Sequence, residues 1–474
     1  MRLVKLCLFG LLLFILINLS ACGSGIGRRR QNGANIIRRP EPVTEVLTVM
    51  GHEFHYNWFR LAESRMAESW RETRRGEFVL ELTLYSHANA DEYFSRLMTL
   101  LTAGYGYDMF MMPPGISSVH IPGVHSLAQS GYLTDIFPLI DQCRHRNLDD
   151  YFINAFNTYT INERLYGFPL TFSFEYLAIN AKLPEQFIDK FTLYDYVSTE
   201  QLMHLYIELI NNYPDEFGFL SITNSLTFLN LHTLVHHNLN NYIDLENKRS
   251  GLTDKSFILF LENIRQLALR LWDPMGFTPG FEVLSQEEIR TRTEEFMFLT
   301  VGFNRTGINM LFPPEDSYFI HFIPLSNKNG ELMPHSNFIF CFSETGNSTL
   351  AWEFMQYMLN TFIDFHSNTN VPFFNGFDTP IARNLFNANF EMWMTERLGR
   401  FGNFYGEIRY RINENDSHNA LERLYMYSQM PIARFSHVPV HIVIESIFLM
   451  KQGTETAEEA AQRLHNLVTL WLTE

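Results

Sequence analysis

From Thr44 onward, apolar positions switch between two rhythms. "TEVLTVMG" is a mostly apolar run closed by Gly51. "FHYNWFRLAESRMAESWRETRRG" then places its apolar residues at spacings of three and four, up to a stop at Gly76. "FVLELTLYS" alternates, "ADEYFSRLMTLLTAGYG" returns to helical spacing, and "YDMFMMPP" is a short apolar run into a Pro-rich turn. Alternation predicts strands and the longer period predicts helices. Strand–helix–strand–helix–strand predicts an open parallel α/β sheet. Ligands of such sheets bind at the carboxyl ends of the strands. That points to Gly51-His52-Glu53 after the first strand and Pro113-Pro114-Gly115 after the third.

The rest of the chain is less regular. "SLAQSGYLTDIFPLI" predicts a helix to Gly131 and then a short extended piece. "NERLYGFPLTFSFEYLAIN" is extended and aromatic, broken by Gly167 and Pro169. Thr192 to Trp272 reads as largely helical, and "EEFMFLTVGFNRTGINML" mixes a helix end with a strand. "FIFCFS" predicts a strand, and "STLAWEFMQYMLNTF" a helix capped by Ser348 or Thr349. The tail predicts two helices, the second capped by Thr456 with Glu458 and Glu459 in its first turn.

Composition changes the picture at the amino terminus. Arg2 and Lys5 precede an apolar run from Leu6 to Leu19, shorter than the about 20 residues of a spanning helix and suited to a signal peptide. Leu19-Ser20-Ala21-Cys22 resembles the bacterial lipobox, which implies cleavage before Cys22 and a lipid on its thiol. The alternatives are an ordinary signal peptide or a short uncleaved anchor. Acyl chains on Cys22 would hold the chain to a membrane. After Cys22 no stretch of membrane-spanning length lacks charge or many polar groups. Residues 22–42 read as a tether whose five arginines either lie on anionic headgroups or form a solvated spacer.

Net charge is −16, unevenly distributed. From residue 43 the chain holds 29 basic against 51 acidic residues, a net −22. An acidic body argues against a nucleic-acid partner. Of the four cysteines, Cys143 and Cys341 remain beyond Cys22; they read as two buried free thiols, with pairing the alternative.

Several segments in this order resemble the family 1 extracellular solute-binding proteins, the lipoprotein receptors of bacterial ABC importers. They are the lipobox, the strand–helix–strand start, "LLTAGYGYDMF", "LAQSGYLTDIFPLI", "RLYGFPLTFSFEYLAIN", "AWEFMQYML" and "GTETAEEAAQRL". The resemblance covers about residues 44–474. It implies a periplasmic-binding-protein-like α/β fold, two lobes joined by a multi-strand hinge. The lobes expected from it are 43–166 with 285–334, and 175–284 with 335–474, around a hinge at 166–180; residues 1–21 are the leader. It implies a polar solute, a mono- or oligosaccharide, captured between lobes and passed to an ABC permease at the outer face of a bacterial membrane. It calls for no catalysis, cofactor or metal. Tyr107 replaces the family's Pro before Asp108, Tyr194 replaces its Trp after the hinge, and residues 370–433 follow no family pattern. A sensor or adhesin with the same fold, or a polysaccharide-active enzyme, are the other readings.

Saccharide recognition needs aromatic faces for the sugar's CH surface and short polar groups for its hydroxyls. The candidates are His52, Glu53, Phe54 and Trp58 after the first strand; Tyr166, Phe172, Glu175 and Tyr176 at the hinge; Asn224 in the loop after "EFGFL"; and Phe373 and Asn375 in "NVPFFNGFD". Each aromatic is equally a packing residue in a chain with 43 phenylalanines. His232 and His236 stand at metal-binding spacing, but no third ligand follows. No nucleophile motif with a placed histidine is present.

Overall fold

The structure is a computed structural model that describes residues 44–73, 75–112, 123–143, 146–172, 174–180, 183–192, 195–212, 231–245, 247–271, 298–302, 319–334, 338–362, 379–388, 426–427, 429–433 and 438–473. The leader, Cys22, the tether, Pro113–Gly115, Asn224, Phe373 and Asn375 lie outside the described residues.

The first lobe begins β1 (Thr44–His52), α1 (Tyr56–Thr73), β2 (Glu77–Tyr85), α2 (Ala90–Thr102), β3 (Met109–Met112) and α3 (Val124–Gln129). β1 runs parallel to β2, from Thr44 opposite Glu77 to His52 opposite Tyr85, and parallel to β3. Helix α1 buries Trp58, Phe59, Ala62, Met66 and Trp70, the face its spacing predicts. Gly51 lets β1 pass under this helix, because a Cβ there would overlap the Phe59 ring.

Past residue 160 come β4 (Phe168–Pro169), β5 (Thr171–Phe172), β6 (Glu175–Asn180), β7 (Val197–Ser198), α4 (Thr199–Asn212) and α5 (Lys255–Leu271). Then follow β8 (Phe298–Gly302), β9 (Phe319–Ser326), β10 (Ile339–Phe342), α6 (Ser348–Asn360), β11 (Thr379–Pro380), α7 (Val440–Lys451) and α8 (Ala457–Thr473). The first sheet has the order β2-β1-β3-β10-β4. β10 is antiparallel to both β3 and β4. The expected parallel sheet is therefore a mixed one, parallel where local crossovers build it and antiparallel where the chain returns from elsewhere.

The second sheet has the order β8-β6-β9-β7. β8 and β9 flank β6, both antiparallel to it, and β7 adds in parallel beside Leu325 and Ser326. Helices α4, α5, α7 and α8 pack their apolar faces into this lobe's core. The expected lobe boundaries are corrected here. β8 and β9, assigned from sequence to the first lobe, belong to the second sheet. β10 and α6, assigned to the second lobe, belong to the first lobe's sheet and core. The sequence does not mark β9: His321 and Pro324 interrupt its apolar run, and its partner β6 lies far back in the chain. Helix α6 is capped by Asn347, whose side chain accepts from the Leu350 amide, and not by Ser348 or Thr349. The predicted cap at Thr456 is present: its hydroxyl accepts from the Glu459 amide, and the Glu459 carboxylate accepts from the Thr456 amide.

Among the described residues, three short segments carry the chain between the cores. Tyr176 belongs to the first core and Leu177 to the second; the same change occurs between Leu332 and Met333, and between Ile432 and Val438. The three are hydrogen-bonded to one another. Glu175 N donates to Met333 O at 2.9 Å, Leu332 N to Pro431 O at 2.7 Å and Ala433 N to Leu332 O at 2.8 Å. This is a multi-strand hinge. It is narrower than the 166–180 stretch read from sequence, because β4 and β5 side chains still pack in the first core.

Candidate functional site

The carboxyl ends of β1, β2 and β3 converge at His52, Tyr85 and Met112. His52 is fully buried and ends β1, and its Nδ1 accepts from the Phe54 amide at 3.2 Å. Its ring lies 4.5 Å from Phe54, 5.1 Å from Tyr85 and 5.1 Å from Phe338, centroid to centroid. His55 adds a second imidazole, 4.8 Å from Phe338. The Tyr85 hydroxyl donates to Met111 O at 2.8 Å, and burial pushes its pKa far up, so it stays a donor. Above this floor Glu53 is exposed and Phe54 is 45% exposed. The edge thus presents one partly exposed ring beside one carboxylate, over a floor of imidazoles and aromatic rings. Such a pair can stack on a CH-rich surface and accept from a hydroxyl.

The other sequence candidates are placed differently. Trp58 is 3% exposed and its indole N–H donates to Met358 O at 2.9 Å, so it fastens α1 to α6 in the core. Phe172 is buried 4.9 Å from the Phe152 ring. Tyr176 is buried at the hinge, 4.8 Å from Phe174 and 5.8 Å from Tyr427. These three are corrected from ligand contacts to packing residues. Tyr166 is corrected as well. The register of β4 on β10 and of β10 on β3 carries the chain upstream of Phe168 toward Met109, the opposite edge of the sheet from His52. Glu175 is half-buried and its backbone helps close the hinge.

Sequence reasoning missed His55, Tyr85 and Phe338. Tyr85 was within reach, since equal-length parallel strands put the last residue of β2 opposite His52. Phe338 stands just before β10 in the first lobe, far away in sequence from β1, and no local signal marks it.

Asp108 is the sheet's fixed point at the other edge. Its carboxylate accepts from Thr48 N at 2.7 Å, Thr48 Oγ1 at 2.8 Å and Asn347 N at 2.7 Å. It ties β1 and β3 to the entry of α6.

Among the described residues no group of His, Cys, Asp and Glu is placed to hold a metal. His236 Nε2 lies 2.7 Å from Val438 O. Cys143 and Cys341 are unpaired; Cys341 is buried, and burial pushes its thiol well up, whereas Cys143 is partly exposed, not buried as expected. Among the described residues no helix is long and apolar enough to cross a membrane.

No family model matches the sequence, and no curated protein matches it. The fold has solved counterparts. The sugar-binding protein MalE from Xanthomonas citri superposes with a TM-score of 0.56 at 13% identity, over 90% of this chain and 98% of that one. An extracellular solute-binding protein family 1 from Alicyclobacillus acidocaldarius gives 0.55 at 11%, over 92% and 99%. An ABC substrate-binding protein from Listeria monocytogenes, in complex with cycloalternan, gives 0.53 at 12%, over 91% and 99%. Two α/β lobes, three hydrogen-bonded crossings and end-to-end superposition together show that the chain has the periplasmic-binding-protein-like fold of the extracellular solute-binding proteins.

Proposed function

We propose that the chain is the lipid-anchored substrate-binding component of a bacterial ABC importer. Its ligand is a polar, hydroxyl-rich solute of the mono- or oligosaccharide class. The single observation that carries this reading is the carboxyl edge of the first sheet, where exposed Phe54 and Glu53 stand over a buried His-aromatic floor on one side of a three-segment hinge. A solute that touches this edge and the second lobe together favours the closed arrangement. Solved proteins of this fold that are described as sugar-binding support the class of ligand. The lipobox-like Leu19-Ser20-Ala21-Cys22 supports attachment through Cys22 at the outer face of the membrane, where a permease would meet the closed lobes. Asn224, Phe373 and Asn375 stand as candidates for the remainder of the site.

The test is the melting temperature of the full-length chain in detergent against mono- and oligosaccharides, with short peptides and divalent metals alongside. A ligand at 100 times its Kd adds about 2.7 kcal/mol, a readily measured rise. A rise with one sugar series is expected. A flat response to sugars with a rise on peptide or metal would remove the saccharide assignment. Metabolic palmitate labelling that survives Cys22→Ala would remove the anchor.

A further inference from the structure

Behind the first sheet, three buried groups that can donate lack a well-directed partner, close to one guanidinium. Arg146 donates to two neutral amides, Gln356 Oε1 at 3.2 Å and Asn360 Oδ1 at 2.7 Å, and no described carboxylate pairs with it. Because the Gln356 carbonyl faces Arg146, its amide orientation is set, and its Nε2 is buried with no well-directed acceptor, the Tyr151 oxygen being the one it approaches. Trp352 stands one helical turn earlier on α6, and its Nε1 is also buried with no acceptor. Tyr151 is fully buried and its hydroxyl makes no well-directed hydrogen bond. Tyr151 and Trp352 pack against the same ring, Phe168, at 5.8 and 5.1 Å. Burial pushes the Tyr151 pKa up to about 12, with the nearby Gln356 amide and Arg146 charge pulling down, so the phenol remains a proton donor.

Buried donors left unpaired each cost about 1–3 kcal/mol, and a native lobe rarely gathers three beside an uncompensated cation. A water molecule satisfies them poorly. It brings two hydrogens of its own that need acceptors, and the side-chain acceptors at hand, the Gln356 carbonyl and the Tyr151 oxygen, already face Arg146. An anion accepts from all four groups and neutralises the guanidinium. We propose that the first lobe holds an internal site for a small inorganic anion of the halide class, bound by Arg146, Tyr151, Trp352 and Gln356. The site ties the segment around Arg146 to helix α6. It is separate from the carboxyl-edge site and independent of the transport reading.

The probe is chloride against gluconate, at constant sodium and ionic strength, on the full-length chain in detergent. Chloride is expected to raise the melting temperature by about 2 °C or more. Crystals grown in bromide are expected to show an anomalous peak within hydrogen-bond distance of Trp352 Nε1 and Gln356 Nε2. Gln356→Glu places a fixed carboxylate beside Arg146, so the halide-dependent rise should vanish. If that variant does not fold, Trp352→Phe keeps the core, removes one donor, and should raise the half-maximal chloride concentration about tenfold. Equal melting in chloride and gluconate overturns the proposal. So does a bromide peak elsewhere only, or a halide response unchanged in the variants.

Discussion

The two sheets were built by different routes. In the first lobe, β1, α1, β2, α2 and β3 follow one another and pack as neighbours, with crossovers of helix length. In the second lobe, β6 waits for β8 and β9, which arrive more than a hundred residues later and pair with it from both sides. The lesson is about where information sits. A local sheet writes its order into consecutive periodicities, whereas a sheet of distant strands writes only strands. β10 makes the point inside the first lobe itself. It reads as a strand from sequence, yet only its pairing with β3 assigns it to that lobe.

The sharpest way to break this contrast is Asp108, where the local sheet depends on a distant segment. Asp108→Ala removes an acceptor from Thr48 and from the entry of α6 and should destabilise the first lobe by about 3 kcal/mol. A urea titration that finds the first transition unmoved would mean the βαβ unit is self-sufficient. In the second lobe, Thr456→Ala unpairs the reciprocal cap of α8 and should cost about 1 kcal/mol, read as a lower urea midpoint of that lobe.

The third test concerns pH. His125 on α3 lies in the first lobe, 6.2 Å from Trp471 of α8 in the second. Burial, aided by the Lys248 charge, lowers its pKa below the ordinary 6.5. The folded state therefore prefers neutral His125, and its contribution is complete above the unfolded value. It falls away as pH drops from about 6.5 through the depressed folded value. Melting temperature should decline across that window, and His125→Gln should flatten the decline; an unchanged slope would assign it to other groups. The smallest effect on stability is expected at Phe54→Ala, within about 0.5 kcal/mol because the ring is largely exposed. The same change should weaken solute binding measured by calorimetry. Loss of stability without loss of binding would move the site away from this edge.

At the carboxyl edge, sequence reasoning placed His52, Glu53 and Phe54 at the end of the first strand, where the structure has them, because the end of a strand is a local event. It overreached with Trp58, Phe172 and Tyr176. An aromatic near a strand end reads the same whether it faces solvent or core, and only burial by α6, Phe152 or Tyr427 separates the cases. Tyr166 failed for another reason. Its distance from His52 is set by the register of β4 on β10, which a chain read in order does not contain.

The chain's own pattern determined the βαβαβ start, the cap at Thr456 and the helical character of the stretch before Trp272, since hydrogen bonding and amphipathic burial at those places are decided within a few residues. Tertiary structure alone decided which lobe owns β8, β9 and β10, that three segments cross together as a hinge, and that Arg146, Tyr151 and Gln356 meet while Tyr151 and Trp352 share the Phe168 ring. Those outcomes depend on pairing between segments far apart in the chain, and there the energy lies in contacts that no single window of sequence holds.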